Sequence, residues 1–159
     1  MVVDPLKAYP GYQLRRASGA QMAVLARRLA VLELRPTEAT VLRLIDVNPG
    51  IKQSAIGRLL EIASANMAPL TARLYERGLI VREPVDGRSH GLKLSESGRR
   101  LAAKVSKVVS DHEERLMARI PRPLRSAFLA ALRALWADDS SAADEPLSSA
   151  VDRRPRRGH

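Results

Sequence analysis

Apolar positions recur at helical spacing along this chain in two long stretches and several short ones. Over residues 13–34, Leu14, Ala17, Leu25, Leu29 and Leu32 fall at that spacing, with Arg15, Arg16, Arg27 and Arg28 between them. This predicts a long amphipathic helix. Pro36 suits the first turn of the next helix. Val41, Leu42 and Ile45 give that helix an apolar face, and Asn48-Pro49-Gly50 ends it. Two short helical patterns follow. Residues 53–60 carry Ala55, Ile56, Leu59 and Leu60, and residues 64–77 carry Met67, Leu70 and Leu74. Gly78 sits where a left-handed residue closes a helix. Only Glu61, Ile62 and Ala63 separate the pair, which is a helix-turn-helix arrangement.

Beyond Gly78 the period changes. Leu79-Ile80-Val81 and Leu92-Lys93-Leu94 read as short strands, with residues 83–89 as the loop and Asp86-Gly87 as the hairpin signal. Ser95 is a good N-cap. Leu101, Val105, Val108, Val109, Leu116 and Ile120 mark a second long helix, broken by Pro121 and Pro123. A final helix carries Leu124, Phe128, Leu132, Leu135 and Trp136. From Ala137 onward Ser, Ala, Asp and Arg dominate, and too little apolar surface remains to order the tail. A helix-turn-helix followed by a hairpin makes the fold class mainly α with a small β-hairpin wing: a winged helix-turn-helix with long terminal helices.

Charge sharpens the picture. The 159 residues carry a formal net charge of +10, and the pI is near 11.0. A surface that basic favours a polyanion, because each neutralised phosphate releases condensed counterions. Aromatic residues make up 3% of the chain, too few for a base-stacking platform on single strands. The absence of cysteine excludes disulfides, thiol catalysis and zinc-thiolate sites. No apolar targeting segment or membrane span is evident, so a cytoplasmic protein without membrane contact is expected.

The second helix of the pair is placed to enter the major groove of double-stranded DNA. Its solvent-facing candidates are Ser64, Ala65, Asn66, Ala68 and Thr71, with Arg73 a turn later. Asn66 can serve adenine N6 and N7 together; Ser64 can touch DNA or simply cap the helix. Pro69, five residues after Ser64, is expected to bend this helix or delay its start. Arg88 at the hairpin tip can enter a narrow minor groove, with Asp86 fixing its direction; the same residues can also serve only to close a turn. Lys52, Arg58 and Arg77 are candidates for phosphate contacts.

Several segments together resemble the MarR family of winged helix-turn-helix regulators. They are Leu34-Arg35-Pro36-Thr37-Glu38 with Asn48-Pro49-Gly50, Asn66-Met67 with Leu70, Arg77-Gly78-Leu79-Ile80, Asp86-Gly87-Arg88, and Leu92 to Gly98. The wing departs from many relatives, since Ser89, His90 and Gly91 follow Arg88 where extra basic residues often stand. The resemblance implies a homodimer in which residues 9–34 form an N-terminal dimerisation helix and residues 97–136 the C-terminal dimerisation helices. Residues 35–96 form the DNA-binding domain, and residues 137–159 a disordered tail. It implies a palindromic DNA site and a small aromatic or carboxylate effector that releases the DNA, with Tyr12, Arg15 and Arg16 as candidate effector-binding residues. Long apolar stripes at both ends of a short chain independently call for a partner.

No catalytic grouping, cofactor motif or metal-ligand spacing is visible. His90, His112 and His159 stand far apart, with His112 beside Glu113 and Glu114 on the second long helix. A non-enzymatic transcriptional regulator, acting as a repressor, is the expected function. The alternative is a ligand-independent DNA-coating or protein-interaction module on the same fold.

Overall fold

Proline and glycine punctuate the helices of the computed structural model, which describes residues 4–86 and 89–136, with the backbone alone at 85, 86, 89 and 136. Helix α1 (Pro10–Ala30) begins with proline in its first turn and ends with Arg27 and Arg28 near its negative pole. It starts earlier than residue 13, at a proline suited to the first turn, and stops before residue 34 because Glu33 adopts a left-handed φ of 55°, turning the chain before α2. Helix α2 (Pro36–Val47) follows, and Gly50 at φ 86° closes its exit. The short helix α3 (Gln53–Leu59) precedes α4 (Ser64–Glu76), and Gly78 at φ 65° ends α4 as its sequence position predicts.

The wing is longer than the sequence suggests. Strand β1 (Ile80–Asp86) pairs antiparallel with β2 (Ser89–Leu94), in a register that sets Ile80 opposite Leu94 and Pro84 opposite His90. Residues 83–86, expected in the loop, are therefore strand. A two-stranded ribbon has a free edge, where the missing N–H of Pro84 can be tolerated. Ile51 adds a bridge to Leu92 on the other side of β2, tying the wing to the end of α2. Gly87, Arg88 and the tail lie outside the described residues.

The described chain forms two units, one through Leu116 and one from Met117. In the first, the aliphatic core gathers Leu29 of α1, Leu42 and Ile45 of α2, Ile56 of α3, Met67 and Leu74 of α4, Ile80 of β1, and Val105 of helix α5 (Glu96–Ala118), all almost fully buried. Ser95 caps α5 as expected, its Oγ accepting the Gly98 N–H at 2.9 Å. The Ser95 and Ser97 hydroxyls both donate to the Gly78 carbonyl, at 2.6 and 2.8 Å. Leu79 thus lies against the first turn of α5 so closely that only glycine fits at position 98. The second unit contains a 3-10 turn (Arg122–Leu124) and helix α6 (Arg125–Trp136), with Leu129 and Leu135 exposed.

Candidate nucleic-acid interface

Helix α4 presents one face to the core and one to solvent because its apolar residues recur at three- and four-residue steps. Met67, Thr71 and Leu74 are buried; Ser64, Ala65, Asn66, Ala68, Pro69 and Arg73 are exposed. The turn from α3 is tight. Ile62 N–H bonds the Gly57 carbonyl at 2.8 Å, and Glu61 takes a left-handed φ of 54°. A Cβ on Gly57 would stand 3.1 Å from the Ile62 carbonyl oxygen and 3.3 Å from Met67 Cγ, so a small residue lets the two helices meet. The cleft between them has a volume of about 750 Å³ and is lined by Gln53, Arg58 and Ser64 among others.

Four sequence expectations change here. Thr71 is not solvent-facing: it is 1% exposed, and its hydroxyl lies 3.0 Å from both Gln53 Oε1 and the Met67 carbonyl. A hydroxyl that finds its partners inside the fold can occupy the core stripe, so Thr71 fastens α4 to α3 rather than facing a groove. Ser64 is the first residue of α4, with Ala63 at the N-cap and no side-chain cap bond, so the capping role falls away. Helix α4 runs from Ser64 through Pro69 to Glu76 without starting late. Arg77 donates to the Glu33 carbonyl at 2.7 Å and pairs with the Glu33 carboxylate at 3.7 Å. Its guanidinium secures the turn between α1 and α2, which diminishes its availability to phosphate.

Other candidates keep their expected surface. Lys52 and Arg58 are exposed at the start and end of α3. Asp86 lies on the wing backbone opposite Ser89, whereas Arg88 is outside the described residues. Sequence reasoning overlooked the contacts that hold wing and helix together. The Arg82 guanidinium stacks 5.9 Å from the Tyr75 ring centre, joining β1 to the end of α4, and Lys93 pairs with Glu83 across the ribbon. It also overlooked Glu38, whose only signal was the Arg35-Pro36-Thr37-Glu38 spacing of a capping box.

A second polar cluster lies at the start of α1. The Tyr12 hydroxyl donates to Asp4 Oδ2 at 2.7 Å, Arg16 donates to the Tyr12 oxygen at 3.3 Å, and Arg16 stands 3.8 Å from Asp4. These residues, with Lys7 and Gln13, line a cavity of about 400 Å³. The hydrogen bond from Tyr12 and the Leu6 N–H hold the Asp4 carboxyl below its ordinary range, with the Arg16 charge a smaller influence. The bond to Tyr12 likewise raises Arg16. The structure brings Tyr12 and Arg16 together, but Arg15 is exposed and does not line the cavity. Elsewhere His112 is buried on α5, and among the described residues no group of three or more potential metal ligands gathers. No described helix is long and apolar enough to cross a membrane.

A helix-turn-helix whose second helix exposes a polar face, followed by a β-hairpin, defines a winged-helix DNA-binding protein. The MarR family model matches residues 34–90. The transcriptional repressor CouR, in a structure bound to a 23-mer DNA duplex, is 35% identical with a TM-score of 0.77, over 85% of this chain and 97% of that one. CouR bound to p-coumaroyl-CoA is 32% identical with a TM-score of 0.76, over 85% of this chain and 96% of that one. The Mycobacterium tuberculosis MarR family protein Rv2887, in complex with salicylic acid, is 27% identical with a TM-score of 0.65, over 81% and 97% of the two chains. This chain belongs to the MarR family of transcriptional regulators.

Proposed function

We propose that the protein is a homodimeric transcriptional repressor that binds a palindromic DNA site and releases it when a small aromatic or carboxylate effector binds. The observation that carries this reading is the exposed polar face of α4, set in a helix-turn-helix and braced by the wing. In the proposed complex α4 enters the major groove, where Asn66 reads bases, while Arg88 at the wing enters the minor groove. Ser64, Ala65 and Ala68 lie against the groove walls, Lys52 and Arg58 approach phosphates, and Asp86 orients Arg88.

Dimerisation follows from apolar surface left uncovered in one chain. Leu14 and Met22 on α1 and Leu124, Leu129 and Leu135 at and along α6 are each at least 40% exposed. Burial of such side chains in a second copy is favourable by about 25 cal/mol per Å² of apolar area. Residues 9–34 and 97–136 are thus assigned to the dimer, and residues 35–96 to DNA. The effector is assigned to the Tyr12 and Arg16 cavity, which Arg15 does not line; CouR bound to p-coumaroyl-CoA and Rv2887 bound to salicylic acid support an aromatic acid or its thioester. The reading assigns the chain no enzymatic chemistry.

Selection of bound duplexes from a random pool, followed by footprinting, tests the reading. A discrete two-fold footprint that disappears with salicylate or an aromatic acyl-CoA is expected. Uniform coverage, insensitive to both, would favour the DNA-coating module instead. Arg88→Ala should weaken binding to the selected site at moderate salt, and unchanged affinity would remove the wing from the interface.

A further inference from the structure

One arginine of α4 is held from outside the helix. Arg73 shares the exposed face with Asn66 and Pro69, seven and four residues earlier, and its side chain is 47% exposed. Its Nη2 lies 3.2 Å from Oε1 of Glu38, a side chain only 4% exposed at the start of α2. The other Glu38 oxygen accepts the Arg35 N–H at 2.8 Å. One carboxylate therefore spans two elements, its first oxygen fixed by backbone and its second by the recognition helix.

The cap alone does not require a charge. A glutamine could accept the Arg35 N–H equally well, whereas burying a carboxylate is costly unless a cation answers it. The charge is matched to Arg73. A guanidinium presents five donors in a rigid plane, and engaging one edge orients the rest. The half-exposed side chain lines a concave pocket of about 350 Å³ shared with Asn66, Arg35 and Thr37. Arg73 is the tenth residue of α4, roughly 14 Å along the axis from Ser64. Residues near the start of a recognition helix meet base edges. One so far along meets the flanking backbone.

We propose that Glu38 is a positioning residue for DNA recognition, holding Arg73 so that its outer edge receives a backbone phosphate. The proposal rests on the assignment of α4 to the major groove. Fixing Arg73 in the free protein removes the ordering loss that a mobile arginine meets on binding. The phosphate contact contributes affinity and register, not base preference.

A double-mutant cycle on the full-length protein tests this, using a duplex with the selected site and an unrelated duplex. Arg73→Ala should weaken both duplexes to a similar extent and lower the slope of log affinity against log salt by about one. Glu38→Gln, which keeps the cap acceptor, should weaken both several-fold when Arg73 is present. With Arg73→Ala in place the same substitution should cause no loss, because Glu38 then has no arginine to orient. Equal effects of Glu38→Gln in both backgrounds would overturn the proposal, as would tighter binding in the Arg73 background. Arg73→Lys, which preserves the charge pair but lacks the planar fork, gives a second reading should Glu38→Gln lower the melting temperature. It should lose affinity without losing salt slope, and wild-type affinity for Arg73→Lys would overturn the proposal. Asn66→Ala separates the two levels. If Asn66→Ala weakens selected-site binding but Arg73→Ala does not, the Arg73 proposal fails alone. If neither matters, the placement of α4 fails with it.

Discussion

Replacing Gly98 with alanine sets helix propensity against packing at the root of the wing. A Cβ at position 98 would lie 1.9 Å from the Leu79 carbonyl oxygen and 3.0 Å from its carbonyl carbon. Neither side is free to withdraw. The Leu79 carbonyl accepts the Ser95 N–H at 3.0 Å, and the Gly98 N–H is held by Ser95 Oγ at 2.9 Å. Propensity alone favours alanine over glycine by up to about 1 kcal/mol in a helix interior, and less in a first turn. Forcing extra atoms into a filled site costs about 1–3 kcal/mol, with the upper end expected where backbone must move. The net is a destabilisation of about 2 kcal/mol. For a chain of this length that corresponds to a fall in Tm of about 4–8 °C. Thermal unfolding followed by circular dichroism, at matched protein concentration because the Tm of the proposed dimer would depend on it, measures the difference. An unchanged or raised Tm would refute the reasoning, since it would mean that α5 does not press on Leu79.

Further outcomes follow from the same contacts. Thr71→Val should lower stability by about 1 kcal/mol through loss of the buried hydroxyl's bond to Gln53. Thr71→Ser, which keeps the hydroxyl but loses a buried methyl, should lower it by about 1 kcal/mol as well. Both should keep DNA affinity near wild type; denaturant unfolding and a binding titration check the pair. Arg77→Ala should reduce Tm slightly and leave the salt slope of DNA binding unchanged, and a slope lower by about one would return Arg77 to a phosphate. Asp4→Asn should tighten salicylate binding in calorimetry, because the Asp4 carboxylate occupies the donors of Tyr12 and Arg16 that a ligand carboxylate would use. A depressed carboxyl pKa stabilises above the ordinary aspartate value and is lost as pH falls through the lowered one. The Tyr12 ring resonances should therefore stay constant from about pH 7 to 5 and shift only in stronger acid.

The parts of this fold that were legible in the sequence are those whose cause lies within a few residues. Asn48-Pro49-Gly50, Gly78 and Ser95 each act on their own neighbours, and each ends or begins a helix where its type predicts. The hairpin was visible from Asp86-Gly87, but its length was not. Residues 83–86 read as part of the loop, and Pro84 can sit in β1 opposite His90 because among the described residues no further strand pairs with that edge. Thr71 failed for a related reason. Its polarity suggested solvent, and the groups that satisfy its hydroxyl include Gln53, eighteen residues away.

The same separation of near from far governs the candidate interface. Composition counts arginines and lysines but does not reveal which are already engaged. Arg77 is engaged by the turn before α2, Arg82 lies over Tyr75, Lys93 is paired with Glu83, and Arg73 with Glu38 across 35 positions of sequence. The contacts of Arg77 and Lys93 spend donors and charge within the protein and so reduce the counterion release that a basic count would suggest, whereas Arg73 keeps its outer donors for a phosphate. A net charge of +10 therefore overstates the number of phosphate contacts. The residues that orient others, Glu38 foremost, carry the opposite sign and are invisible to any search for basic patches. A salt slope well below that expected if every basic residue of residues 35–96 met a phosphate is the quantitative form of this argument, and a slope approaching that full count would contradict it.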